Sequence, residues 1–98
     1  MQTVKTITLS ETEVKKSLFL AFLVPIERYE TERSRLRKEH PKANHIAEAT
    51  RKLDTMGRVE ESFSDDGEPR GCAGMPILNV MRGHHLIDAA LFVVRYFG

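Results

Sequence analysis

The order of local patterns along the chain predicts an α+β domain. Three observations carry that prediction. Residues 3–9, 16–24, 45–53, 58–63 and 87–97 have strand length and composition, and two proline-led segments, 25–40 and 75–82, have helical character. The length of 98 residues is about one small domain and leaves no room for a second core.

Composition narrows the function classes. The chain is 41 % hydrophobic and 30 % charged, with no repeat or low-complexity tract, as expected of an ordinary globular protein. Fifteen basic against fourteen acidic side chains leave a formal charge of +1, so any attraction to nucleic acid or anionic lipid must come from a local patch. The longest apolar run, Leu18 to Val24, is far short of the roughly 20 residues of a spanning helix, and the N-terminus lacks a signal-peptide layout. No membrane partner is expected. Cys72 is the single cysteine; with no internal disulfide or cysteine metal cluster open to it, a reducing, cytoplasmic location is expected.

The elements follow in order. Thr3 to Leu9 is rich in β-branched residues and predicts a short strand, closed by the turn-like Ser10-Glu11-Thr12. Lys16 to Val24 is almost continuously apolar after its first residues, as in a strand covered on both faces. Pro25 suits a first helical turn, and Ile26, Tyr29, Arg33 and Leu36 recur at helical spacing up to about His40, where Pro41 stops the helix. Glu27, Glu30 and Glu32 lead and Arg33, Arg35, Arg37 and Lys38 follow, which complements the helix dipole. His45–Leu53 and Arg58–Phe63 pair around a turn at Asp54 to Gly57. Met75 to Arg82 predicts a second helix with Gly83 as its stop, and Ile87 to Phe97 the last strand. That strand is apolar at both parities through Ala89-Ala90-Leu91-Phe92-Val93-Val94, so both its faces should be covered. With no helix after it, a partner chain or a further segment is expected to supply cover, and association of two copies through the sheet is the simplest form.

The most unusual stretch is Ser64-Asp65-Asp66-Gly67-Glu68-Pro69-Arg70-Gly71-Cys72-Ala73-Gly74, a loop with three glycines and a proline in eleven residues. Asp65, Asp66 and Glu68 offer hard oxygen ligands to a divalent cation or a general base. Short carboxylates in turns also cap nearby N–H groups, which is the favoured role here, and the spacing is no EF-hand. Gly67, Gly71 and Gly74 ahead of a helix could present N–H groups to a phosphate, with Arg70 beside them, although the Gly-Lys-Ser/Thr ending of a P-loop is missing. Cys72 near a helix start, with His45, suggests a nucleophile and base; a small buried cysteine is the plainer alternative. His84 and His85 point to opposite faces if extended, so at most one joins His45 as a metal ligand. Arg33, Arg35, Arg37, Lys38, Lys42, Arg51, Lys52 and Arg58 are candidates for an RNA-facing surface, but helical spacing scatters the first three around the helix and a solvated face is favoured.

Several segments resemble the Impact and YigZ family. Lys16-Ser17-Leu18-Phe19 is similar to its Lys-Ser-Arg-Phe opening, and His40-Pro41-Lys42-Ala43-Asn44-His45 to its His-Pro-x-Ala-x-His segment. Phe63-Ser64-Asp65-Asp66-Gly67-Glu68-Pro69, with Gly71, Ala73, Gly74 and Pro76, resembles the signature loop, and Val93-Val94-Arg95-Tyr96-Phe97-Gly98 the stretch that follows it. The likeness spans residues 16–98. It departs at Cys72, where the family has threonine, and at Leu18, where it has a basic residue.

The resemblance implies a two-layer mixed sheet with helices on one face, similar to the second domain of ribosomal protein S-five. It also implies that residues 1–98 are a single Impact N-terminal-like domain, incomplete, without the family's following helix and ferredoxin-like domain. Function is then expected in translation control: a non-catalytic module for a ribosome, RNA or translation-regulatory protein, as eukaryotic Impact modulates a stress-activated kinase through its activator. The expected recognition surface is the acidic glycine loop (Asp65, Asp66, Gly67, Glu68, Arg70, Gly71, Gly74) with His45 and Arg95. No cofactor is expected. The alternative is a metal- or phosphate-dependent hydrolase using Asp65, Asp66, Glu68 and His45.

Overall fold

The computed structural model describes residues 2–4, 7–68 and 70–97. Lys5 and Thr6 of the expected first strand, Pro69 of the loop and Gly98 lie outside the described residues. The chain forms β1 (Thr8–Val14), β2 (Ser17–Pro25), a 3-10 turn (Ile26–Arg28), α1 (Tyr29–Glu39), β3 (His45–Leu53), β4 (Val59–Ser64), α2 (Gly74–Gly83) and β5 (Ala89–Tyr96). The strands make one sheet in the order β1-β2-β5-β3-β4.

The α+β class holds, with two corrections. The sheet is not mixed in its strands: β1·β2, β2·β5, β5·β3 and β3·β4 all pair antiparallel, and the isolated Gln2 to Leu86 bridge is parallel. Nor do the helices share a face. Leu36 and Tyr29 of α1 pack with Phe22, Val24, Ile46, Ala90, Phe92 and Val94, whereas Ile77, Leu78 and Met81 of α2 pack with Ala47, Ala49, Ala89, Leu91 and Val93. These are opposite parities of the same strands, hence opposite faces.

The physical reason lies in the crossovers. The β2-to-β3 connection passes one strand in one direction, and the β4-to-β5 connection passes one strand in the other. Two right-handed crossovers would put both helices on one face, so one of these two has the rarer left hand. The nine-residue connection between Ser64 and Gly74 detaches α2 from the tight strand-helix-strand geometry that normally enforces handedness.

β5 is therefore the central strand with a helix on each side, which explains its apolar residues at both parities. Cover is uneven. Ala90, Phe92 and Val94 are fully buried under α1. α2 lies over β3 and β4, so Phe19, Ala21, Leu23, Leu91 and Val93 on its side of the sheet are only half-buried.

The expected turn at Ser10-Glu11-Thr12 is strand. β1 runs on to Val14 because it pairs with β2 from Thr8↔Leu23 to Val14↔Ser17, and an edge strand tolerates its polar Glu11 and Glu13. The turn is Lys15-Lys16, with φ of 48° and 68°, the left-handed geometry of a two-residue hairpin loop. In α1, Tyr29 stacks on Phe92 with ring centroids 5.6 Å apart, and its hydroxyl donates to the buried Glu48 carboxylate. Burial, then the bond to Glu48, pushes the phenol up to about 12.

Candidate functional site

The expected surface divides into two parts with different work. Asp65 is a cap: its carboxylate accepts from the backbone N–H of Gly71 (3.0 Å), Ala73 (3.1 Å) and Gly74 (2.6 Å) at the start of α2. The Gly74 N–H, then that of Gly71, holds the Asp65 carboxyl below the usual range. Asp66 staples the loop to the sheet, accepting from Ile46 N–H (2.7 Å) and Arg37 Nη2 (2.9 Å). Burial raises its pKa, but the Arg37 and Ile46 bonds outweigh burial and leave it lowered.

Gly67 and Gly71 sit at φ of 85° and 81°, and a Cβ on Gly74 would come within 2.6 Å of the Phe63 ring, so the loop needs glycine at each. This overturns the phosphate reading, because the N–H groups of Gly71 and Gly74 are already spent on Asp65. The metal-dependent alternative fares no better. Asp65 and Asp66 are engaged, and no group of three His, Cys, Asp or Glu suited to a metal occurs among the described residues. His84 and His85 lie just past α2, away from His45 at the start of β3.

Glu68, Arg95 and His45 come together. Arg95 pairs in register with Phe19 of β2 on one side and His45 of β3 on the other, so the three form a row across the sheet on the α2 side. The Arg95 guanidinium lies over two rings, 5.3 Å from Phe19 and 4.3 Å from Phe97. Its Nη1 donates to Glu68, whose side chain is 8 % exposed, and its Nε is buried without a hydrogen-bond partner among the described residues. His45 Nδ1 is 2.8 Å from the Asp66 carbonyl oxygen. A carbonyl only accepts, so Nδ1 carries a proton, while Nε2 lies 3.9 Å from Glu68, ion-pair distance for a ring protonated at both nitrogens. The Phe97 ring meets His45 edge-on at 5.9 Å.

Phe19, His45, Glu68 and Arg95 line a cavity of about 180 Å³ whose remaining wall is Ala47, Cys72, Ala73, Ile77 and Val93. Cys72 is exposed rather than buried. Arg70 is exposed on the loop outside the cavity. Phe19 and Phe97 are members of the site that residue-by-residue reading missed. For Phe19 the signal is register, since the β2·β5 pairing sets it beside Arg95.

Two other hollows carry less chemistry. One of about 370 Å³ beside Tyr29 includes the pairs Thr50 with Ser62 (2.5 Å) and Lys52 with Glu60 (3.7 Å) in its lining. One of about 430 Å³ beside His40 is floored by the Arg37–Asp66 ion pair. The supposed RNA-facing arginines are occupied too: Arg33 pairs with Glu48, Arg35 with Glu32 and Glu39, Arg51 with Glu61, and Arg58 with Asp54.

Comparison with known proteins agrees with this architecture. Residues 15–98 match the model of the Impact N-terminal domain. An IMPACT family member of Haemophilus influenzae is 37 % identical over 97 residues, covering 96 % of this chain and 47 % of that protein. IMPACT family member YigZ of Escherichia coli is 37 % identical over 93 residues, covering 88 % and 44 %. The crystal structure of a hypothetical protein superposes with a TM-score of 0.82 at 33 % identity, covering 95 % of this chain and 47 % of its own. The chain spans about half the length of the curated relatives it matches. With a match over 84 of its 98 residues, this chain belongs to the Impact N-terminal domain family.

Proposed function

We propose that the chain is a non-catalytic binding module of translation regulation, acting in the cytoplasm by docking on a ribosome, RNA or translation factor through the Phe19–Arg95–His45 row and Glu68. One observation carries this reading: Asp65 and Asp66 are consumed by structure, and the cavity beside them is lined by the Glu68–Arg95 pair with His45 and Phe19 against an apolar wall, the make-up of a recognition pocket. An arginine in contact with two phenylalanine rings and paired with Glu68 is preorganised for binding, because little side-chain entropy remains to be lost.

The test is co-sedimentation with ribosomes at low and high salt, beside an Arg95→Met, His45→Ala variant shown to fold by circular dichroism. The expected result is binding by the natural chain and its loss in the variant. Equal sedimentation of both would place the docking surface elsewhere. A second reading concerns assembly: the half-buried Ala21, Leu23 and Leu91 suit the face of a second copy. Light scattering that reports a monomer at high concentration would end that reading.

A further inference from the structure

This inference rests on the module reading and names the chemistry of its partner. The charged groups at the two ends of the sheet are unequally satisfied. At the end where β3 turns into β4 and β5 begins, Arg51, Lys52, Arg58 and Arg82 are all ion-paired, and Arg28 is the one cation there without a pair among the described residues. At the other end, where the cavity lies, Lys15, Lys16, Lys38, Lys42 and Arg70 are exposed and make no ion pair among the described residues. Of the carboxylates there, Glu39, Asp66 and Glu68 are ion-paired and Asp65 is held by three backbone N–H groups, which leaves Glu13 to oppose five cations. Lys16 comes three residues before Phe19, Lys42 three before His45, and Arg70 two from both Glu68 and Cys72. The reach of the chain therefore keeps each backbone within about 11 Å of the cavity lining.

The cavity itself suits an apolar guest. Phe19, Ala47, Ala73, Ile77 and Val93 are five of its nine lining residues, and Glu68 and Arg95 already bond each other. Its volume of about 180 Å³ is below the roughly 300–1,000 Å³ of small-molecule pockets and fits one large side chain. We propose that this end of the sheet docks an acidic segment of a protein partner, which seats one apolar side chain in the cavity and sets its carboxylates against Lys15, Lys16, Lys42 and Arg70. An apolar anchor in a desolvated pocket supplies most of the affinity of such a contact, while charges on the rim supply its speed and its choice of partner.

RNA phosphates would meet the same cations, but the cavity favours protein. Ala47, Ala73, Ile77 and Val93 give an aliphatic wall with no stacking platform for a base, and Phe19 already faces the Arg95 guanidinium.

The experiment is selection of random peptides displayed on phage against the full immobilised chain, followed by fluorescence anisotropy of the selected peptides. They should share one leucine, methionine or aromatic residue flanked by aspartate or glutamate, and alanine in place of that apolar residue should weaken binding at least roughly tenfold. Lys16→Glu with Lys42→Glu, both at exposed positions, should weaken binding by a similar factor, and added salt should affect the natural chain more than this variant. The single cysteine supplies a footprint: Cys72 is exposed and lines the cavity, so saturating peptide should slow its alkylation by iodoacetamide at least roughly tenfold.

Unchanged alkylation under saturating peptide would put the peptide elsewhere and overturn the inference. Selection of peptides without the acidic and apolar pattern, or of none, would overturn it too. Labelled oligouridylate that binds through Lys16 and Lys42 while no peptide binds would make this end an RNA surface instead. If ribosome co-sedimentation and its loss in the Arg95→Met, His45→Ala variant survive such a result, the partner chemistry alone has failed; if sedimentation is absent as well, the module reading has failed with it.

Discussion

The two faces of β5 show how one strand can serve two purposes. On the α1 side, Ala90, Phe92 and Val94 are fully buried against Leu36, Phe22 and Val24, a dry core. On the α2 side the same strand offers half-buried Leu91 and Val93 and then Arg95, because α2 sits over β3 and β4 and leaves the β2–β5 end open. Composition hardly distinguishes the two faces; what differs is which neighbour lies above them. The covered face supplies stability, and the partly covered face has room for a polar row beside a cavity.

Substitutions should separate those roles. Phe92→Ala removes a fully buried ring that stacks on Tyr29 and should cost about 3–5 kcal/mol, read by urea denaturation. Leu91→Ala, on the half-covered face, should cost roughly 1–2 kcal/mol in the same assay. Equal losses would mean that the α2 side is covered more fully than the structure shows. Gly74→Ala tests the junction between loop and helix. Its Cβ meets the Phe63 ring and the Ser64 carbonyl oxygen, at 2.6 and 3.0 Å, and the strain should lower stability by about 1–3 kcal/mol.

The smallest effect is one of pH, and it belongs to the loop side. Asp65 and Asp66 both have pKa values lowered by folding, Asp65 through the N–H groups of Gly74 and Gly71, and Asp66 through Arg37 and Ile46 against opposing burial. A lowered carboxylate pKa contributes stability that is present above the unfolded value and is lost as pH falls through the folded one. Acid should therefore loosen the loop before the α1 side. The protection of the Gly71, Ala73 and Gly74 amides, each measured against its intrinsic exchange rate at the same pH, should fall at acidic pH while that of Phe92 stays high. Simultaneous loss of protection at both places would show that the loop and the α1 core open as one unit.

Much of the fold was legible because periodicity and punctuation are local. β3 falls at His45–Leu53 as expected, α2 within a residue or so, and the Asp54-to-Gly57 turn between β3 and β4 as well, since proline, glycine and apolar runs act on their own neighbours. The first strand was misplaced because Thr8–Val14 is held by its pairing to β2, and its exposed Glu11 and Glu13 carry no inward pattern to reveal it. The loop's chemistry was half legible. Three carboxylates among glycines announced special geometry, but their division into Asp65 as cap, Asp66 as staple and Glu68 as partner of Arg95 depends on groups 6 to 29 residues away.

By itself the sequence determined the α+β class, the succession of elements, the need to cover both faces of the last strand and the glycine-rich loop, all of which follow from residue type and spacing. Only the tertiary structure decided that β5 is the central strand, that α1 and α2 take opposite faces, and that Phe19, Arg95 and His45 stand in one row beneath Glu68. Handedness and register are properties of how distant segments pair, and a shift of one residue would turn every member of that row to the other face.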